Sequence, residues 1–293
     1  MLLYFAGTAA YSQELEPRRW SHLPVGVNFA AAGYAYTSGN IFLDPAILVE
    51  DAEAEIHTVG VGYARALDFF GKTGRIDVKV PVSIGRWQGL LDGEPASTRR
   101  EGFGDPRVRF AVNLLGSPAQ SRQEFARFVP RTIVGTAVEV TLPLGQYEKE
   151  RLINLGSNRW VVRPQLGVVH NVGKWAFELT GSAWFFGENR DYQGESDLKQ
   201  DPLYALQTHV IHTFRPGLWV SLSAAFGSGA RPRINDIPSA NEQGNFLWAA
   251  SFGFSPSRSH GFKLAWQSGR TTEEVGVDYD RMILAYAFMW GGR

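Results

Sequence analysis

The stretch Gly74–Trp87, GRIDVKVPVSIGRW, places Arg75, Asp77, Lys79 and Ser83 at alternate positions. On an extended chain, residues two apart share a face. A face carrying both signs of charge can pair internally, hold an anion or steer an ion. Ile76, Val78, Val80, Val82 and Ile84 take the opposite face. The same alternation puts Asp105, Arg107 and Arg109 together, and it sets Glu139, Arg163, Gln165, Glu178, Lys263 and Arg281 opposite apolar neighbours on their own segments. These twelve charged or amide residues, from Arg75 to Arg281, are the candidate functional set.

Other chemistries find less support. Gly71-Lys72-Thr73 has Ala66 where a phosphate-binding loop needs glycine, and no helix follows it. Gly60-x-Gly62 and Gly102-x-Gly104 lack the third glycine of a dinucleotide fingerprint. His209 and His212 are three apart on a strand and face opposite sides, so they cannot share a metal there. There is no Gly-x-Ser-x-Gly elbow, and no Ser–His pair on one face is legible. Cysteine is absent, which removes disulfides and thiolate chemistry. No catalytic residue, metal or cofactor is expected, and the chain does not read as an enzyme. Lys+Arg and Asp+Glu are 29 each, so no net charge favours nucleic acid.

The charged faces need strands to position them. Twelve β-like segments lie near 25–37, 56–68, 74–85, 105–115, 130–142, 159–171, 174–187, 201–214, 217–229, 245–255, 261–270 and 278–290. Most reach the ~9–11 residues that cross a bilayer as a tilted strand. Long connections (38–55, 86–104, 143–158, 188–200, 230–244) alternate with short ones, and 116–129 and 271–277 break the alternation. Sorting loops by length is a property of outer-membrane barrels, which have short periplasmic turns and longer outside loops. A soluble sandwich has no reason to sort them. Residues 42–55 read as a loop with room for one helical turn. No run of 18 apolar residues is present.

In this setting the apolar faces meet lipid. Val108, Phe110, Val112 and Leu114 form one such face, and Phe262, Leu264 and Trp266 another. Trp87, Trp160, Trp175, Tyr204, Trp248 and Trp290 lie near strand ends, as an aromatic girdle requires. Pro81 and Pro164 fall within strands and are expected at bulges. Arg65, on an apolar face, is expected at an interfacial end. The fold class expected is all-β: a closed antiparallel transmembrane β-barrel of about 12 strands with long extracellular loops and short periplasmic turns. Residues 1–12 read as a signal-peptide remnant, 13–24 as a periplasmic or lumen segment, and 25–290 as the barrel.

The pieces GFGDPRVRF (102–110), VTLPLGQYEKERLINLGSNRWVVRPQLGVVH (140–170) and ELEPRRWSHLPVGVNFAAAGYAYT (14–37) resemble the outer-membrane transporter family of the meta-pathway of phenol degradation. The resemblance implies a bacterial outer-membrane location and, more loosely, transport. The resulting expectation is a channel for passive uptake of small, hydrophobic or aromatic compounds. Its partners would be outer-membrane lipid, a small-molecule permeant and the barrel assembly machinery. The alternative is a structural or interaction barrel whose lumen is closed by its own charges. A twelve-stranded barrel lies between the filled and the open sizes, and residues 13–24 could plug it. The inner charges fit both readings.

Overall fold

The computed structural model describes residues 15–42, 49–238, 242–274 and 276–292. The signal-peptide remnant expected at 1–12 lies outside the described residues. In chain order the strands are β1 (Val27–Phe42), β2 (Val49–Phe69), β3 (Lys72–Leu91), β4 (Glu94–Phe103), β5 (Arg107–Leu115), β6 (Thr132–Thr141), β7 (Val161–Val172), β8 (Trp175–Phe186), β9 (Asn189–Tyr192), β10 (Ser196–Gln200), β11 (Leu203–Arg215), β12 (Leu218–Gly229), β13 (Pro232–Ile234), β14 (Ile237–Pro238), β15 (Gln243–Phe254), β16 (His260–Thr271) and β17 (Gly276–Gly291). One four-residue helix, α1 (Arg122–Phe125), follows β5.

Twelve of these strands form a closed antiparallel barrel: β1, β2, β3, β5, β6, β7, β8, β11, β12, β15, β16 and β17. Closure comes from β1 and β17, which pair from Val27↔Gly291 to Phe42↔Gly276. With no edge strand, every wall strand has its ladder groups paired on both sides, as a bilayer demands. The outer face exposes Val59, Phe177, Leu206, Leu222, Phe252 and Leu264. Between such residues the wall turns polar or small groups inward: Glu178, Thr180 and Ser182 on β8, and Ser221, Ser223 and Ala225 on β12, are buried. A buried polar inside and an exposed apolar outside place the protein in the outer membrane.

Several connections differ from the sequence reading because strands run on past the membrane. Residues 49–55 belong to β2, so neither a loop nor a helical turn occurs there. The 86–104 connection is a hairpin of β3 and β4. It turns at Asp92-Gly93, both at positive φ, the geometry whose twist matches paired strands. Loops 188–200 and 230–244 contribute β9, β10, β13 and β14 to a separate four-stranded sheet.

The prolines are not at bulges. Pro81 pairs with Gly60 in register, at the point where the other neighbour of β3 changes from β5 to β4. Pro164 keeps its pairing with Val138, while the β7–β8 ladder skips from Val162↔Phe185 to Gln165↔Ser182 without a register shift. A residue with no N–H leaves a gap in one ladder only.

Trp87 is not in the girdle. It shares its parity with Asp77 on β3, is buried, and lies against Gly85 inside. Trp160, Trp175, Tyr204, Trp248 and Trp290 are exposed, and Trp290 stacks on Phe288. Arg65 is exposed at the short-turn end, paired with Asn28.

Candidate functional site

Residues 15–22 precede β1 and touch strands from all round the barrel, which is geometrically possible only from the inside. Leu15 packs with Ala225, Leu247, Ala249 and Tyr279. Glu16 accepts from Lys263 Nζ at 2.6 and 2.7 Å. The Arg18 N–H donates to Glu178 Oε2 at 2.9 Å, and its guanidinium lies 5.4 Å from the Trp219 ring centre. Arg19 donates to Glu139 Oε2 at 3.2 Å. Arg18 holds a positive φ of 68°, and this reversal turns the chain so that Trp20 can enter the wall.

Trp20 is among the most buried side chains in the protein. Its Nε1–H donates to Thr180 Oγ1 at 2.8 Å, and the Arg109 guanidinium stands over its ring at 4.9 Å. A methyl at Gly135 or Gly167 would overlap the indole. Glycine inside a strand marks such a close approach. Ala111, Ile133, Ala137 and Val169 complete the walls.

His22 closes the short-turn end. Its Nδ1 lies 2.6 Å from Ser117 Oγ and its Nε2 2.8 Å from Gln120 Oε1, with Phe125 stacked on the ring. Burial holds its pKa below the ordinary imidazole value, against the pull of the Gln120 bond. The 116–129 connection is long for its end because it carries α1 and these partners. A capping box, Ser121 with Glu124, fixes α1.

The twelve sequence candidates separate into groups. Arg75 pairs with Asp77, and Asp77 lies 3.6 Å from Arg109. Arg109 Nε donates to Gln165 Oε1 at 2.8 Å. Arg163 lies 3.5 Å from Glu139, donates to Ser182 Oγ at 3.3 Å and stacks on Trp184 at 4.0 Å. This network on β3, β5, β6 and β7 sets four arginines, counting Arg19, against two carboxylates. Lys79 and Arg107 are Cα partners on the long-loop side of it. Glu178 and Lys263 hold the 15–22 segment instead. Arg281 donates to Thr37 Oγ1 at 2.8 Å on the far side.

Asp105 stands apart. Its Oδ1 accepts from Gly145 N at 2.9 Å, and its Oδ2 from Ser157 N and Oγ at 2.8 and 2.6 Å. Gln146 N also donates to Phe103 O, and Leu142 N to Pro106 O. The Gly104-Asp105-Pro106 and Leu142–Tyr147 motifs therefore meet each other and knot the long-loop rim. The structure gives Asp105 a loop-fastening position away from the central network.

Sequence reasoning missed Trp20, Gly135, Gly167 and Thr180 as a unit, and the inner tryptophans Trp184 and Trp219. The signal available was two glycines, each on the inner parity of an otherwise well-formed strand. It also missed the buried contact of His209 Nδ1 with Ser223 Oγ at 2.8 Å. Glu178, the strand neighbour of His209, accepts from the Arg18 N–H.

A sequence profile of the family described as "Putative MetA-pathway of phenol degradation" matches residues 48–275. The chain belongs to this family. Among solved structures it is similar to an outer membrane channel from Pseudomonas putida F1, at 19% identity and a TM-score of 0.78, covering 94% of this chain and all of that one. It is also similar to the transport unit of the autotransporter AIDA-I from Escherichia coli, at 7% identity and a TM-score of 0.54, covering 96% and 94% of the two chains. The beta domain of the Bordetella autotransporter BrkA matches at 9% identity and a TM-score of 0.53, covering 90% and 99%. At these identities the likeness concerns the fold. No curated protein sequence matches the chain significantly. The family profile begins beyond Trp20, so the inner segment is characterised by this chain's own geometry.

Proposed function

We propose that this family member is an outer-membrane channel for passive uptake of small, hydrophobic or aromatic compounds, closed near its short-turn end by residues 15–24. One observation carries the reading. A twelve-stranded wall is wider than one whose own side chains fill it, and the space here is taken by a separate segment. That segment is held by a few polar contacts, the Trp20 indole, Leu15 and the His22 ring. A filling meant to be permanent needs no detachable piece. The inner arginines from β3, β5 and β7 would steer anionic or polarisable solutes once the segment moves, because a low-dielectric wall strengthens unscreened charge.

Vesicle swelling tests this. Wild-type protein should pass small solutes slowly, and Glu16→Gln with Arg19→Gln should raise the rate by loosening the segment. No swelling with either protein would favour the structural barrel with a closed lumen.

A further inference from the structure

The Trp20 indole occupies a site with the features of a small-molecule pocket. Asn113, Gly135, Gly167 and Thr180 are successive Cα partners across β5, β6, β7 and β8, so they form one row around the inner wall. The two glycines in the middle make a flat floor. Thr180 at one end offers a hydroxyl to the indole N–H at 2.8 Å. Asn113 at the other end donates to the Trp20 carbonyl at 3.3 Å. Ala111 and Ala137 wall the ring on the long-loop side, Ile133 and Val169 on the short-turn side. Arg109 stands over the ring at 4.9 Å, itself steadied by Gln165 and Asp77.

Each of these parts belongs to the barrel wall and not to the segment that supplies Trp20. When the segment leaves, the floor, the acceptor and the cationic cover remain, because strand pairing and the Asp77–Arg109–Gln165 contacts fix them. A guanidinium over a ring is worth ~0.5–2 kcal/mol in recognition generally, and a buried hydroxyl selects for a ring that brings a donor.

We propose that this row is a binding subsite for a neutral planar aromatic carrying a hydrogen-bond donor, of indole or phenol type, and that Trp20 is the chain's own occupant of it. This deepens the channel reading and rests on it only in making the ligand a permeant. An arriving aromatic takes the place of Trp20: its ring lies on Gly135 and Gly167 under Arg109, and its N–H or O–H donates to Thr180 Oγ1. The segment is then left with Leu15 and its Glu16–Lys263 and Arg19–Glu139 contacts, and without the indole it leaves the lumen more often, so ligand and plug compete for one place.

Trp20→Ala opens the subsite, as truncation of a large buried side chain leaves an apolar cavity that takes up an aromatic molecule. Millimolar indole or phenol should raise the melting temperature of Trp20→Ala in detergent and leave wild type unchanged. Benzene, which has no donor, should shift it several-fold less at equal concentration, and adding Thr180→Val should remove that difference. In wild-type protein, indole and phenol should speed trypsin cleavage after Arg18 and Arg19 in a concentration-dependent way, and benzene should do so less. This second measurement stands even if Trp20→Ala fails to fold. Equal shifts by indole and benzene in Trp20→Ala, or no acceleration of cleavage in wild type, would overturn the proposal. Binding without vesicle swelling in any variant would instead sink the channel reading and leave the subsite intact.

Discussion

The two inner walls of the barrel are built from different chemistry. The wall of β3, β5, β6 and β7 carries Asp77, Arg109, Glu139, Arg163 and Gln165, all buried, with Arg109 held by Asp77 and Gln165 and Arg163 by Glu139. The wall of β11, β12, β15 and β16 carries many small residues, Ser221, Ser223, Ala225, Ala249, Ser251 and Ala265, among the larger Gln207, His209 and Gln267. Ser221 and Ser251 are Cα partners, and among the described residues their buried hydroxyls have no hydrogen-bond partner. The first wall grips the inner segment through Trp20 and Arg19. The second meets it through Leu15, the stack of Arg18 on Trp219 and one ion pair, Lys263 with Glu16. Charged side chains are large and directional, so they lock a segment in one register. Small serines and alanines leave room and impose little. One wall holds the segment at several charged points, and the other holds it at one and leaves width.

If that contrast is right, Glu139→Leu should be the most damaging change. It strips Arg163 and Arg19 of their shared carboxylate, and uncompensated buried charge costs ~3–5 kcal/mol. Ser223→Ala on the opposite wall should cost about 1 kcal/mol, the loss of one bond to His209. Equal costs in urea titrations of the folded-to-unfolded gel shift would erase the distinction.

The second wall also separates inside from outside at adjacent residues. Leu264 is exposed to lipid, while Lys263 faces inward to Glu16. Leu264→Arg should cost ~2–4 kcal/mol at bilayer depth. Lys263→Gln should leave barrel stability within about 1 kcal/mol and instead speed proteolysis at residues 18 and 19. A reversed ranking would mean that the register of β16 is wrong.

Above the charged wall, Asp105→Asn turns an acceptor of three bonds into a group whose amide opposes one donor. A loss of ~1–3 kcal/mol should appear as faster proteolysis of the 143–158 loop with the barrel's gel shift unchanged. Loss of the whole barrel would show that the rim knot and the charged wall are one unit.

The smallest effect concerns pH. Burial holds the His22 pKa below the ordinary imidazole value of about 6.5. The undocked state therefore binds the proton more readily, and docking weakens as pH falls from about 6.5 toward the docked value. Cleavage at residues 18 and 19 should rise over that window, and His22→Gln should flatten the profile. An unchanged slope in His22→Gln would assign the dependence to another group.

Much of this was legible because strand periodicity is local. Each of the twelve segments marked by alternation overlaps a barrel strand, and Arg75, Asp77, Arg109, Glu139, Arg163 and Gln165 could be placed on one face by parity alone. The exceptions have local causes too. Trp87 was counted with the girdle from its place near a strand end, although its odd number set it inside with Asp77. Val112 has outward parity yet is buried opposite Gly74, and Phe69 leans over that glycine. Alternation reports a face and not what covers it.

The sequence by itself therefore determined the barrel, its location and the sidedness of its charges, because a period of two and the sorting of loop lengths are written along the chain. Only the tertiary structure decided which charges meet, that Asp105 fastens a rim, and that Trp20 lies on Gly135 and Gly167. Those contacts join residues as far apart as 24 positions, for Glu139 and Arg163, and 160, for Trp20 and Thr180, and their register is set by barrel closure and by the reversal at Arg18. An isolated strand glycine looks like a weakness until the ring that needs its missing side chain is brought beside it.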